Sequence, residues 1–155
     1  MKQALLLARG EFKVGMMLYR NRSFANSLEK VQRAVELDPK NAHYVSYMGL
    51  LVALVQKNYR LAEELCHRAL RMNHNEPQLY LNIAEVYLRA RNKEDAVEAL
   101  TVGLQYTKRN LRLTQALRKL GVRRPPVIPF LERKHFLNRH LGKARYRLLR
   151  VLGRE

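Results

Sequence analysis

Cysteine, glycine-rich loops and long apolar runs are scarce in this 155-residue sequence, and its last third is poor in negative charge. Cys66 is the single cysteine, which excludes an intramolecular disulfide framework. The opening stretch MKQALLLARG holds too short an apolar run for a secretory signal or a membrane span, so a reducing, cytoplasmic setting is expected. No glycine-rich phosphate loop, nucleophile motif or Cys/His metal spacing is present. His67 and His74 fall in a predicted helix and a predicted turn, while the five-residue separation of His135 and His140 suits one helical face poorly. Glu94, Asp95 and Glu98 open a predicted helix, where negative charge complements the helix dipole without any chemistry. No catalytic, cofactor-binding or metal-ligating residue is therefore expected, and the chain reads as a non-enzyme.

Positive charge is abundant. The formal net charge is +17, and it is unevenly placed: residues 1–107 carry +4, whereas residues 108–155 carry +13. Such an excess attracts nucleic acid, anionic lipid or an acidic protein surface. The length suits one domain with a real core plus an appendage.

A period runs through the first two-thirds. Aligned on small residues, Ala8–Asn41, Ala42–Glu76 and Pro77–Asn110 form blocks of 34, 35 and 34 residues, each with two amphipathic helical stretches. The first helices carry Val14-Gly15, Met48-Gly49 and Ile83-Ala84, followed by Leu18, Val52 and Tyr87. The second helices carry Ser27, Val31 and Ala34, then Ala62, Cys66 and Ala69, then Ala96, Leu100 and Gly103. A small residue in each hairpin lets two helix axes approach while the large one fills the space beside it. Ser23, Asn58 and Asn92 precede the second helices as N-cap types, and Pro39 closes the first block. Beyond Asn110, Leu113, Leu117 and Leu120 share one face of a capping helix that Gly121 ends.

This pattern resembles the tetratricopeptide repeat family, whose large-small and small-large-small positions it fills. The resemblance implies an all-α solenoid of three helical hairpins, with a repeat domain over 1–121 (repeats 8–41, 42–76 and 77–110, cap 111–121) and a basic arm over 122–155. The family binds partners along the concave face made by the first helices. Transferred residue by residue, that face is Arg9, Phe12, Lys13, Met16, Tyr19 and Arg20 in the first repeat. The second repeat contributes His43, Ser46, Tyr47 and Leu50, and the third Gln78, Leu81, Asn82, Glu85 and Arg89. One subgroup clamps the terminal carboxylate of chaperone tails. Of its five positions, Phe12, Met16, Tyr47 and Gln78 depart from the clamp and only Asn82 is compatible, so such a clamp is disfavoured. An apolar centre with a polar rim remains, suited to a partner peptide or helix. The run MGLLVALV is apolar all round, which implies either that a partner covers Leu50 or that this helix is simply central and the groove narrow.

The end of the chain breaks the period. In GVRRPPVIPF, Pro125, Pro126 and Pro129 forbid a continuous helix, and Val127, Ile128 and Phe130 are costly to expose together, so a stiff docking arm is expected. After it, Leu137, Leu141, Ala144, Leu148 and Leu152 align on one side of a helical stretch, with Arg139, Lys143, Arg147 and Arg150 on another. Docking on the repeats or on a sister chain, binding of nucleic acid or anionic membrane, and an SH3-type proline motif all compete for this segment. The function expected is a non-catalytic protein-interaction adaptor; the alternative is a peripheral nucleic-acid or anionic-membrane binding protein that acts through the basic C-terminal helix with the repeats only as scaffold, and self-association is a further use of the chain.

Overall fold

The computed structural model describes residues 2–107 and 110–121. Seven α-helices follow one another: α1 (Lys2–Arg20), α2 (Phe24–Leu37), α3 (Ala42–Val55), α4 (Tyr59–Met72), α5 (Pro77–Arg89), α6 (Lys93–Tyr106) and α7 (Leu111–Lys119). They pack pairwise as α1/α2, α3/α4 and α5/α6, and α7 lies against α6 and α5. The docking-arm residues Val127, Ile128 and Phe130 and the basic residues Arg139, Lys143, Arg147 and Arg150 lie outside the described residues. No described helix is long and apolar enough to cross a membrane.

All three hairpins share a left-handed residue before the second helix, and the first and third also share a pair of backbone bonds. Arg22, Lys57 and Arg91 each adopt a positive φ, near +60°, just before a second helix begins. At the first, the Arg22 amide donates to the Tyr19 carbonyl and the Ser23 amide to the Leu18 carbonyl; at the third, Arg91 and Asn92 do the same to Leu88 and Tyr87. A left-handed residue with these two bonds satisfies the last carbonyls of one helix and reverses the chain. Asn58 and Asn92 then cap α4 and α6 through side-chain oxygens that accept from Leu61 and Asp95 amides. Ser23 differs from expectation, because its hydroxyl makes no cap bond and instead accepts from Asn26 Nδ2. Asn41, Glu76 and Asn110 cap α3, α5 and α7 in the same way.

All nine small-large-small residues of the second helices are buried, from Ser27 to Gly103. The close approach behind them is visible at Gly49, where an added Cβ would sit 2.8 Å from the Ala62 carbonyl oxygen and 2.8 Å from Cys66 Sγ. Gly103 is as crowded, since a Cβ added there would sit 2.6 Å from Cγ of the Tyr80 ring. Cys66 is fully buried and burial pushes its thiol up to about 12, which leaves it a packing group without nucleophilic character.

Two features depart from strict repetition. The extra residue of the second block lies in α3, which has 14 residues where α5 has 13. Val14 is 39% exposed although its counterpart Ile83 is buried, since α1 is the first helix and no described hairpin precedes it. The same reason applies to Leu5, Leu6 and Leu7, exposed on the first turns of α1.

Candidate partner-binding surface

Helices α1, α3 and α5 bring most of the transferred residues, not all, together along one inner surface. On α1, Phe12, Met16 and Tyr19 recur at helical spacing and are half-buried, with Arg9, Lys13 and Arg20 exposed beside them. On α3, His43 and Tyr47 lie one turn apart and half-buried. The rings meet across the two helices. Phe12 lies 5.8 Å from His43 and 5.6 Å from Tyr47, Tyr19 lies 6.0 Å from Tyr47, and His43 lies 5.3 Å from Tyr47. These separations and tilts are those of favourable aromatic pairs. Tyr44, which the sequence did not single out, anchors the group from below with its ring 4.5 Å from Phe12.

A polar path binds the other half. Arg112 of α7 donates to Gln78 Oε1 at 2.6 Å, Gln78 Nε2 donates to Asn82 Oδ1 at 2.7 Å, and Asn82 Nδ2 donates to Ser46 Oγ at 3.0 Å. The path joins α7, α5 and α3 through side chains 34 and 36 residues apart in sequence. Glu85 and Arg89 close the end of the surface as an ion pair at 2.8 Å, and Leu81 packs half-buried between these groups and the core. Arg112 was also missed from sequence, where it is merely the second residue of the capping helix.

Three transferred residues do not belong to the accessible surface. Leu50 is 2% exposed, because α3 is the central helix, enclosed by α2, α4 and α5, and its apolar circumference is consumed in packing. Asn82 is 2% exposed and its amide is spent on Gln78 and Ser46, so it is a structural bridge. Ser46 is buried with it.

The electrostatics follow first from half-burial and then from charges of both signs. Burial lowers the pKa of His43, Arg112 lowers it further, and Glu76 opposes both. Burial raises the Tyr47 hydroxyl, with Tyr19 adding to the rise while Arg112 and Arg20 pull it down. Arg112 and Arg20 thus both act on this one hydroxyl, against Glu76. Among the described residues no carboxylate pairs with Arg9, Lys13, Arg20 or Arg112. No group of three or more His, Cys, Asp or Glu is placed to hold a metal among the described residues.

No family model matches the chain. A curated relative from Arabidopsis thaliana, the TPR repeat-containing thioredoxin TTL4, is 28% identical over 120 residues, covering 70% of this chain and 17% of its own length. The chain thus spans about a sixth of that relative. Solved structures are closer in shape than in sequence. The first TPR of Spaghetti (RPAP3), bound to the HSP90 peptide SRMEEVD, superposes with a TM-score of 0.63 at 17% identity, covering 76% of this chain and 94% of that domain. The Arabidopsis OM64 TPR domain gives 0.64 at 16% identity over 76% and 97%. The TPR2B domain of yeast Sti1, in complex with pHsp70, gives 0.64 at 15% identity over 77% and 99%. The described helices form a tetratricopeptide-repeat fold.

Proposed function

From that fold, we propose that the protein is a non-catalytic interaction adaptor whose inner surface holds a segment of a partner protein. The observation that carries the reading is the half-buried aromatic cluster Phe12, Tyr19, His43 and Tyr47, rimmed by Arg9, Lys13, Arg20 and Arg112. Half-exposed aromatics between cations that pair with no carboxylate among the described residues suit a peptide or helix with apolar anchors and acidic flanks. Structural neighbours bind chaperone peptides, but the positions of the carboxylate clamp are occupied here by Phe12, Met16, Tyr47, Gln78 and Asn82. Phe12, Met16, Tyr47 and Gln78 depart from the residues that would grip a chain terminus, and the one compatible residue, Asn82, has its amide engaged by Gln78 and Ser46. Internal side chains of the partner, and not its terminal carboxylate, then carry the affinity.

The test is affinity capture by the full chain and by Met16→Asp, at low and high salt and with nuclease treatment. Capture that survives nuclease and is lost in Met16→Asp supports the reading. Capture abolished by nuclease and indifferent to Met16→Asp refutes it in favour of a tail that binds nucleic acid through Arg139, Lys143, Arg147 and Arg150. As a direct probe, SRMEEVD with an amidated terminus should bind no more weakly than the free acid, whereas a terminal clamp demands the reverse.

A further inference from the structure

A second recess lies between α4 and α6, on the side of α5 that faces away from the inner surface. Its volume is about 790 Å³, within the range of about 300–1,000 Å³ typical of ligand clefts. Tyr80, Ile83 and Tyr87 of α5 make its floor, with Leu70 on the α4 wall and Ala99 and Val102 on the α6 wall. The residues at its rim are exposed: His67, Arg71 and His74 on one side and Glu98 and Tyr106 on the other.

The two ends differ in chemistry. At one, the Tyr87 hydroxyl bonds a ring nitrogen of His67 at 3.0 Å, and Asp95 and Glu98 stand on the opposite wall. The pKa of Tyr87 is raised, first by burial and then by negative charge that includes Glu63, Asp95 and Glu98, so three carboxylates act on this end. Among the described residues none of the three pairs with a cation. At the other end Tyr80 donates to the His74 carbonyl at 2.9 Å, the His74 and Tyr106 rings lie 5.1 Å apart, and Arg71 supplies positive charge. Seven helical residues separate Tyr80 from Tyr87, or about 10 Å, the distance over which two turns of a docked helix present apolar anchors.

We infer that the α4/α6 groove is a second docking site, for a basic amphipathic helix of a partner protein whose Lys or Arg side chains meet Asp95 and Glu98. Its apolar stripe covers Leu70, Ile83 and Val102. Arg71 repels a cation at the far end, which sets the direction in which the helix lies. Charge complementarity selects this occupant: the carboxylates repel the phosphates of nucleic acid, and the net charge of +17 disfavours any cationic ligand except where the local field is reversed. The site is separate from the inner surface and stands or falls independently of it.

The experiment is an amide NMR titration of the isotope-labelled full chain with a short Leu/Ala helical peptide carrying lysines at one end, compared with the same peptide carrying glutamates there. The lysine peptide is expected to shift the Ile83, Tyr87 and Val102 amides, and the glutamate peptide to leave them unmoved. Glu98→Lys should weaken binding by about tenfold or more, Val102→Trp should fill the groove and abolish it, and Tyr47→Ala should leave it unchanged. Glu98 is exposed, so that variant tests the site without burdening the fold, and circular dichroism checks both. Equal binding of the two peptides, binding of neither, shifts at Phe12 and Tyr47 instead, or full binding by folded Val102→Trp each overturns the inference. Concentration-dependent shifts of the same amides without peptide would assign the groove to a second copy and overturn it too.

Discussion

Gly49→Ala isolates the close approach of α3 and α4. In a helix interior the change by itself stabilises by about 1 kcal/mol, because alanine loses less backbone entropy on folding. At Gly49 the new methyl would lie 2.8 Å from the Ala62 carbonyl oxygen, 2.8 Å from Cys66 Sγ and 3.1 Å from Leu65 Cβ. The first of these is backbone and cannot rotate away. Overpacking of a tight core contact costs about 1–3 kcal/mol, and with a fixed backbone obstacle the upper half of that range applies. The net expectation is a loss of about 1–2 kcal/mol, or a fall in Tm of about 4–8 °C for a domain of this size. Gly10→Ala in α1 is the internal control, since nothing lies within 4 Å of the added Cβ, and it should gain about 0.5–1 kcal/mol. Urea unfolding followed by far-UV circular dichroism measures both, with unchanged m-values confirming that the native and denatured states keep their compactness. A Gly49→Ala protein as stable as Gly10→Ala would refute the close approach and the repeat packing built on it.

Leu50→Asp should unfold the domain, costing more than about 4 kcal/mol by burying a carboxylate, while Met16→Asp on the half-exposed face should retain far-UV helicity; the two denaturation curves decide it. Arg91→Gly should stabilise by about 0.5–1 kcal/mol, because the position has φ +62°, which glycine adopts without strain; a loss in chemical denaturation would contradict that. His43 should titrate below the ordinary 6.5 by NMR. Its folded pKa is lowered, so the unfolded chain binds more protons, and its contribution to stability is present above pH 6.5 and declines as pH falls from there toward the folded pKa. His43→Gln should flatten that part of the stability profile.

The hairpin period and the buried seam of the second helices were legible in the sequence because volume and a 3.6-residue period leave little freedom there. Ser27, Val31 and Ala34, and their counterparts through Gly103, must face a neighbouring helix if the blocks stack at all, and all nine are buried. The surface of α3 was not legible in this way. MGLLVALV is apolar on every side, and that half of α3 carries no polar phase to say whether Leu50 meets solvent as Tyr47 does. Packing by α2, α4 and α5 decided it, burying Leu50 and leaving Tyr47 half-exposed. Contacts between distant residues were equally silent: the bonds from Arg112 through Gln78 and Asn82 to Ser46, and the groove between α4 and α6, depend on how successive hairpins tilt against one another. That tilt is set by side-chain interdigitation across the stack, which no local spacing encodes. The sequence therefore determined which residues form each hairpin, and only the tertiary structure decided which of them a partner can reach.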